Sequence, residues 1–221
     1  MAATARTFVL HHTKLQPVPG LEEIHLHLAA EALPLMHAVQ LETGDPDPAL
    51  PFWAFAWGGG LALARYLGEH PEAVRGRRVF DFASGSGLCA IAARLAGATV
   101  AIGADVDPFS AAAIELNAHA NGCRVGVEHR DVLDDEPPDT DVILAGDCWY
   151  DSRLAERVLP WLRSARGRGI DIITGDPGRL YLPAEELVEV AVYDVRTTTE
   201  LEDLDLKHGR VYALRSAGEH E

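Results

Sequence analysis

A glycine-bearing turn after an apolar strand is the first segment whose residue types suggest chemistry. In VFDFASGSGLCA, Asp81 lies within a β-like run, and Gly85 and Gly87 follow just before a helix-forming stretch. Glycines allow a tight turn and a close approach of a ligand to the main chain, while the helix that follows presents unpaired N–H groups. Dinucleotide-binding folds share this spacing, so it predicts an adenosine-bearing ligand without specifying which one.

Three acids at or near predicted strand ends sharpen this prediction. Asp105 closes the second apolar run, where it could accept hydrogen bonds from both ribose hydroxyls, and Asp131 follows the third run, where it could accept from an adenine amino group. Asp81 lies inside a strand, where a buried carboxylate is costly unless it is paired or hydrogen-bonded. An ammonium group on the ligand would satisfy Asp81. For Asp131 an exposed acidic loop is the simplest alternative.

A second group of polar residues follows the fourth and fifth apolar runs. DVILAGDCWYD contains Asp147 and Tyr150 just after its apolar run. GDPGR brings Asp176 and Arg179 to the same edge of the predicted sheet. Asp147 could attract and orient an ammonium group, and Tyr150 could donate a hydrogen bond or wall a channel. The alternatives are a helix N-cap for Asp147, a core ring for Tyr150 and a simple turn for Asp-Pro-Gly. Arg179 could meet an acidic patch on a partner.

The elements that must position these residues follow from the alternation of apolar runs and helical segments, which predicts βαβ units around a parallel sheet. Strands are expected near 78–83, 99–105, 124–130, 141–147 and 170–176. One helix should begin at Asp107-Pro108 and end at Asn121-Gly122, and another should begin at Asp151-Ser152 and end at Gly167. ELVEVAVYDV and GRVYALR predict a closing hairpin joined by the acidic loop TELEDLDLKHG.

Over residues 51–216 these segments resemble the class I, seven-stranded methyltransferases that use S-adenosylmethionine. The resemblance rests on D-x-x-x-G-x-G in the first strand, the acid that ends the second, and the acid-to-tyrosine stretch after the fourth. It implies an α/β, Rossmann-like sheet in the order 3-2-1-4-5-7-6, with helices on both faces and the seventh strand antiparallel. It also implies that S-adenosylhomocysteine is the product.

The resemblance implies a wider set of cofactor-binding residues than the motifs alone. These are Trp57, Asp81, Ala83, Gly85, Gly87, Asp105, Asp131, Val132 and Gly146. Many members of the family have glycine where Ala83 stands, and we expect alanine to fit if its backbone is ordinary. Trp57 resembles the family tryptophan that packs against the cofactor, whereas Trp53, four residues earlier, is as readily explained as core.

A narrower resemblance is to the enzymes that methylate lysines of the electron-transfer flavoprotein β subunit. PFWAFAWGGGLALARYL, GDCWYDSRLAERVLPWL and GDPGR agree with that group in order and spacing, although Gly58 stands where we expect proline. A lysine target is implied, with Asp147 and Tyr150 as catalytic residues that also bind substrate alongside Trp149 and Arg179. Methyl transfer needs a neutral amine held in line at roughly 3 to 3.5 Å, although lysine has a pKa of about 10.4.

The domain organisation follows from length and composition. A chain of 221 residues with 48% hydrophobic and 24% charged residues suits one domain, over 51–221. An N-terminal appendage over 1–50 precedes it and ends at the Pro-rich DPDPALP. Within the appendage, LEEIHLHLA alternates apolar and polar residues and could be a strand.

Charge and composition restrict the partners. A formal charge of −15 disfavours nucleic acid and suits a basic or lysine-bearing protein. No apolar run suggests a signal peptide or a membrane span, so we expect no membrane partner and a cytoplasmic location. The ten histidines and three cysteines show no ligand spacing, so no metal is expected.

Other functions stay open at this point. A methyltransferase of the same fold that acts on a ribosomal protein or a small molecule would share every cofactor residue. A nicotinamide-dependent oxidoreductase is more remote, because a dinucleotide-binding strand is normally apolar where Asp81 stands and because of the C-terminal hairpin. A binding module without catalysis is disfavoured by the presence of Asp147 and Tyr150.

Overall fold

A seven-stranded mixed sheet lies at the centre of the computed structural model, which describes residues 2–197 and 206–215. The strands are β1 (Lys14–Val18), β2 (Leu21–Leu28), β3 (Arg78–Phe82), β4 (Val100–Asp105), β5 (Gly126–His129), β6 (Val142–Gly146), β7 (Asp171–Asp176), β8 (Leu187–Arg196) and β9 (Leu206–Leu214). The helices are α1 (Ala2–His12), α2 (Ala32–Thr43), α3 (Gly58–Glu69), α4 (Leu88–Leu95), α5 (Pro108–Ala120) and α6 (Ser152–Gly167). Short 3-10 turns lie at Phe52–Ala54, Pro71–Ala73 and Ala184–Glu186.

The order of the strands in the sheet is β5-β4-β3-β6-β7-β9-β8. Counted along the chain within this sheet, that order is 3-2-1-4-5-7-6, and it confirms the prediction. β3 to β7 are parallel, whereas β9 runs antiparallel to both β7 and β8. The expected hairpin is therefore present, although most of its acidic connection, residues 198–205, lies outside the described residues.

The helices beside the sheet begin where the capping residues predicted. Asp107 accepts a hydrogen bond from the Phe109 N–H at 2.7 Å, and α5 begins at the following proline. Asp151 caps α6 by accepting from the Leu154 N–H at 2.9 Å. The cap of α6 is thus Asp151, so Asp147 is not required for that role.

Helices cover both faces of the sheet, as predicted. On one face, α3 and α4 contribute buried side chains that include Leu61, Leu67 and Ile91. On the other face, Trp161 and Leu162 of α6 pack in a cluster with Phe80 of β3 and Ile143 of β6. Within residues 2–197 and 206–215, no helix has the length and apolar character that a bilayer span needs.

The N-terminal segment packs on the sheet domain. β1 and β2 form an antiparallel hairpin, which confirms the strand predicted at LEEIHLHLA. The side-chain oxygen of Asn117 in α5 accepts the His27 N–H at 2.7 Å, and Leu26 is buried in the same core as α3 and α4. Phe8 of α1 stacks near Phe109, with 4.5 Å between ring centroids. The segment therefore shares a core with the sheet, and a domain boundary at residue 50 stays a prediction.

Candidate active site

A cavity of about 540 Å³ opens at the carboxyl ends of β3, β4 and β6. The strand order reverses between β3 and β6, and ligands of open α/β sheets bind at such a point. The structure brings most of the predicted site residues to this cavity: Trp57, Asp81, Ala83, Gly85, Asp105, Asp131, Val132, Gly146, Asp147, Tyr150 and Arg179. Two separately predicted groups, one for an adenosine and one for an ammonium, therefore face one space.

The turn after β3 has three residues in the left-handed region: Ala83 with φ 51°, Gly85 with φ 54° and Gly87 with φ 84°. Alanine was expected to fit if its backbone were ordinary, and that condition is not met, because Ala83 has a positive φ. Gly87 packs closely against α5, since a Cβ on it would lie 3.3 Å from Ile114. Glycine at this position thus permits close packing of the turn on α5.

Asp81 lies beneath the turn and is only 2% exposed. Its Oδ2 accepts hydrogen bonds from the Ser84 hydroxyl at 2.5 Å and from the Ala90 N–H at 3.1 Å. Burial raises the pKa of Asp81 to about 7, against the opposing effect of these hydrogen bonds. Asp81 therefore braces the turn against α4, and it also contributes to the cavity wall.

Asp105 holds the same turn from β4. Its Oδ2 accepts the Gly85 N–H at 2.8 Å, and its Oδ1 accepts the Asp107 N–H at 2.9 Å. Each carboxylate oxygen can accept two hydrogen bonds, so both oxygens keep capacity for a ligand hydroxyl. Asp107 lines the cavity as well, and burial raises its pKa to about 6.

Asp131 forms the outer rim of the cavity above the buried side chain of Val132. Its Oδ1 accepts the Leu133 N–H at 3.0 Å and its Oδ2 accepts from Arg157 at 2.9 Å. The hydrogen bond from Arg157 lowers the pKa of Asp131 below its ordinary value. The carboxylate is thus held ionised and oriented at the rim.

Aromatic side chains line the cavity between the turn after β3 and the residues that follow β6. The Trp57 Nε1 donates to the Phe52 carbonyl at 2.9 Å, and the Phe52 ring lies 5.4 Å from Trp57 and 5.2 Å from Tyr150 between centroids. Trp53 is instead fully buried near Phe109, so it belongs to the core. Phe52 was not predicted as a site residue, and the aromatic run PFW before the glycines was its signal in the sequence.

Asp147 follows the last residue of β6 and adopts an unusual backbone conformation, with φ 56°, and its side chain is 11% exposed. Its N–H donates to the Gly175 carbonyl at 2.8 Å, and its Oδ2 accepts the Gly60 N–H at 2.6 Å. Its Oδ1 accepts a hydrogen bond from the guanidinium of Arg179. Burial raises the pKa of Asp147, while Arg179 opposes that rise. Sequence reasoning missed Gly60, although the GGG run after Trp57 signalled a close approach of backbone.

Asp176 lies at the end of β7 beneath Arg179 and is fully buried. Its Oδ1 accepts the N–H groups of Gly178 at 2.7 Å and of Arg179 at 2.6 Å. Its Oδ2 has no hydrogen-bond partner and lies 3.7 Å from the Arg179 Nη1. Arg179 therefore turns inward to two carboxylates of its own chain, and the possibility that it meets an acidic patch on a partner stays a prediction.

Trp149 does not line the cavity, although the resemblance implied a role in substrate binding. It is 1% exposed, and its Nε1 donates to the Thr174 hydroxyl at 2.9 Å. Tyr150, the next residue, is 48% exposed at the mouth of the cavity. The chain thus leaves β6 with Asp147 and Tyr150 at the cavity, whereas the Trp149 ring packs in the core with residues of α6, where Thr174 supplies a partner for its N–H.

The sheet order, the glycine turn and the acids at the strand ends define a class I methyltransferase, and comparisons with known proteins agree. The family model named ribosomal protein L11 methyltransferase matches residues 66–146. The fold is also that of a magnesium protoporphyrin IX methyltransferase from Synechocystis, solved with bound S-adenosylhomocysteine. That structure has a TM-score of 0.50 and 16% identity over 72% of this chain and 84% of its own.

Curated relatives narrow this class to one family. The electron transfer flavoprotein beta subunit lysine methyltransferase of Xenopus laevis is 32% identical, over 96% of this chain and 88% of its own length. The protein of the same name from Rattus norvegicus is 35% identical over 73% of this chain and 66% of its own length. The chain belongs to the family of electron transfer flavoprotein beta subunit lysine methyltransferases.

Proposed function

We propose that this enzyme transfers methyl groups from S-adenosylmethionine to lysine side chains of a partner protein, the electron-transfer flavoprotein β subunit. The observation that carries the proposal is the cavity that joins the acid-lined turn after β3 to the largely buried acid Asp147 and to Tyr150. The first half suits an adenosine and the second an incoming amine. The names of the relatives supply the choice of protein substrate.

The donor half of the cavity fits S-adenosylmethionine by the chemistry of its groups. Asp105 would accept from the ribose hydroxyls, Asp131 from the adenine amino group, and Asp81 would face the ammonium of the methionine part. Asp81 supports the fit most strongly, because a carboxylate at 2% exposure gains most from a cationic ligand. S-adenosylmethionine supplies an electrophilic methyl group on a sulfonium.

The remaining predicted cofactor residues would enclose the donor or shape the turn that holds it. Trp57, Val132 and Gly146 line the cavity, and Ala83, Gly85 and Gly87 form the left-handed positions of the turn. No side chain at Gly85 stands between the backbone and the ligand. These residues therefore act through shape, whereas the acids act through charge.

The acceptor half suits a lysine because its acid, Asp147, is largely buried and its tyrosine, Tyr150, is neutral. A free lysine is almost wholly protonated at neutral pH, so the site must attract an ammonium and let it lose a proton to water. Asp147 would attract and orient the ammonium. Burial raises the pKa of Tyr150, so its phenol keeps its proton and can hydrogen-bond near the amine. Neither group needs to act as a general base, because holding the lone pair in line supplies much of the acceleration.

The net charge of the chain supports a protein partner, and its thiols support a cytoplasmic location. A formal charge of −15 favours a basic or lysine-bearing protein over nucleic acid. Cys89, Cys123 and Cys148 are all free thiols, which is typical of a reducing compartment such as the cytoplasm.

The proposal is tested with the purified chain, S-adenosylmethionine, and two candidate proteins in parallel. Electron-transfer flavoprotein β subunit is the expected substrate, and ribosomal protein L11 is the comparison because a family model of that name matches residues 66–146. Peptide mass spectrometry should find methyl-lysine in the flavoprotein subunit and none in L11. The reverse pattern would overturn the choice of substrate. Calorimetry should detect S-adenosylhomocysteine binding but no NADH binding, and NADH binding alone would overturn the choice of cofactor.

A further inference from the structure

We propose that Arg179 is a displaceable counter-ion, which pairs with Asp147 until a substrate lysine arrives and then moves to Asp176. The proposal rests on the proposed function and deepens it, because it describes how an acid that already has a cation can accept another. The three residues lie at the ends of the neighbouring strands β6 and β7.

The Asp147 carboxylate is the fixed member of this group. The Gly60 N–H bonds its Oδ2 at 2.6 Å, and its own backbone N–H is bonded to the Gly175 carbonyl at 2.8 Å. Arg179 reaches the other oxygen, Oδ1, from a long and flexible side chain that is 21% exposed. When a second cation enters from the cavity, the guanidinium is therefore the group that moves.

Asp176 offers the guanidinium a second position. Its Oδ2 is buried without a hydrogen-bond partner and already lies 3.7 Å from the Arg179 Nη1. A movement of about 1 Å would bring this pair into hydrogen-bond range. Because an unsatisfied buried carboxylate oxygen is costly, the structure contains a reason for Arg179 to move once Asp147 has another partner.

The charges of the group balance only when a lysine is bound. Two ionised carboxylates and one guanidinium sum to −1, so one ammonium brings the total to zero. After the move, the ammonium would pair with Asp147 and the guanidinium with Asp176. Burial raises the pKa of both acids, and the second cation favours both in their ionised forms. Without the move, the ammonium would meet a carboxylate whose charge is already neutralised.

Asp176→Asn tests the proposal with little change of shape. The asparagine oxygen can still accept the N–H groups of Gly178 and Arg179, so the turn keeps its hydrogen bonds, but the second anionic position is lost. Arg179 should then stay on Asp147. We expect kcat/KM for the flavoprotein subunit to fall about 100-fold, mainly through KM, while the affinity for S-adenosylhomocysteine stays within about twofold.

The double variant Asp176→Asn/Arg179→Gln separates displacement from a structural role. With neither the guanidinium nor the second acid, Asp147 is the one remaining charge of the group, and it can receive an ammonium. We expect kcat/KM of the double variant to be at least about tenfold higher than that of Asp176→Asn. If Asp176 served only to hold the turn, the double variant would be no better than the single variant, and that result would overturn the proposal.

Exposed residues outside the cavity provide the matched controls. Asp139→Asn and Arg163→Gln change the same residue types on the surface and should behave as wild type. Melting temperatures would show whether each variant is folded. If the wild type neither binds S-adenosylhomocysteine nor methylates the subunit, the proposed function itself fails. If the wild type is active and the double variant shows no recovery, only the displacement of Arg179 fails.

A structure of the wild type tests the displacement without any variant. In a complex with S-adenosylhomocysteine and a lysine-bearing substrate peptide, the lysine nitrogen should lie on Asp147 and the Arg179 guanidinium within hydrogen-bond distance of the Asp176 Oδ2. A complex in which Arg179 remains on Asp147 while the lysine is bound would overturn the proposal.

Discussion

Gly59 and Gly175 pack backbone against backbone. A Cβ on Gly59 would lie 2.2 Å from the Gly175 carbonyl oxygen, and a Cβ on Gly175 would lie 2.1 Å from the Gly59 carbonyl oxygen. This contact brings the start of α3 against the end of β7 and thereby places the Gly60 N–H on the Asp147 carboxylate. The geometry of the acid thus depends on two residues that have no side chains.

Replacing Gly59 by alanine should separate these elements. We expect Gly59→Ala to lower the free energy of unfolding by about 1 to 3 kcal/mol, because the added methyl meets backbone that cannot move aside locally. Gly68→Ala is the matched control, since it lies in the same helix with nothing within 4 Å of its Cβ position. It should be neutral or stabilising by up to about 1 kcal/mol. Urea denaturation measures both, and equal effects would contradict the role of the contact.

Replacing Ala83 by glycine should not destabilise the protein, although replacing alanine by glycine within a helix or strand usually does. An L-residue in the left-handed region costs roughly 1 to 2 kcal/mol, and glycine avoids that strain but gives up about 0.5 to 1 kcal/mol of entropy. Ala83→Gly should therefore be neutral or stabilising by up to about 1 kcal/mol. Ala111→Gly, in the interior of α5, should instead destabilise by about 1 kcal/mol. Thermal unfolding compares the two, and a similar loss in both would contradict the left-handed conformation at Ala83.

Asp105→Ala should weaken cofactor binding. The variant removes the proposed acceptor for the ribose hydroxyls and also the bonds to the Gly85 and Asp107 N–H groups. A lost charged hydrogen bond costs about 1.5 to 3 kcal/mol, so the affinity for S-adenosylhomocysteine should fall by about 10- to 100-fold. Calorimetry measures this fall, with the surface variant Asp139→Ala as the control. Unchanged affinity in Asp105→Ala would remove Asp105 from the cofactor site.

Cofactor affinity should depend on pH through Asp81. Its pKa is raised to about 7, so the acid is mostly neutral at pH 6 and mostly ionised at pH 8. The ammonium of S-adenosylhomocysteine favours the ionised form, so the affinity should rise by about tenfold between these values. Calorimetry at pH 6, 7 and 8 should give a flatter profile for Asp81→Asn, and an identical profile would contradict the assignment.

The sheet could be predicted because its signals are local. Each parallel strand is a short apolar run, and its observed ends lie within two residues of the predicted ones. The caps at Asp107 and Asp151 act through hydrogen bonds to N–H groups two and three residues away, so residue type alone reveals them. Asp105, Asp131 and Asp147 could be found because they stand at or just after the ends of these strands, and Asp81 because it is a carboxylate inside an apolar strand.

The contacts within the site could not be predicted, because they join distant segments. Asp147 bonds Gly60, 87 residues earlier, and Arg179, 32 residues later. Trp149 was misplaced because residues after a strand end no longer alternate in a fixed way, and the left-handed φ of Asp147 redirects those that follow. The conformation of Ala83 was missed because alanine rarely adopts it, so residue type argued against it.

Transfer of an isotope-labelled methyl from S-adenosylmethionine to the electron-transfer flavoprotein β subunit tests the central claim most directly, with Asp147→Asn beside the wild type. Asparagine tolerates the left-handed backbone of Asp147 and can still accept the Gly60 N–H, but it carries no charge. The wild type should place label on lysine side chains, and Asp147→Asn should lose at least about 100-fold in rate with cofactor affinity nearly unchanged. An unlabelled subunit, or equal labelling by both proteins, would contradict the claim.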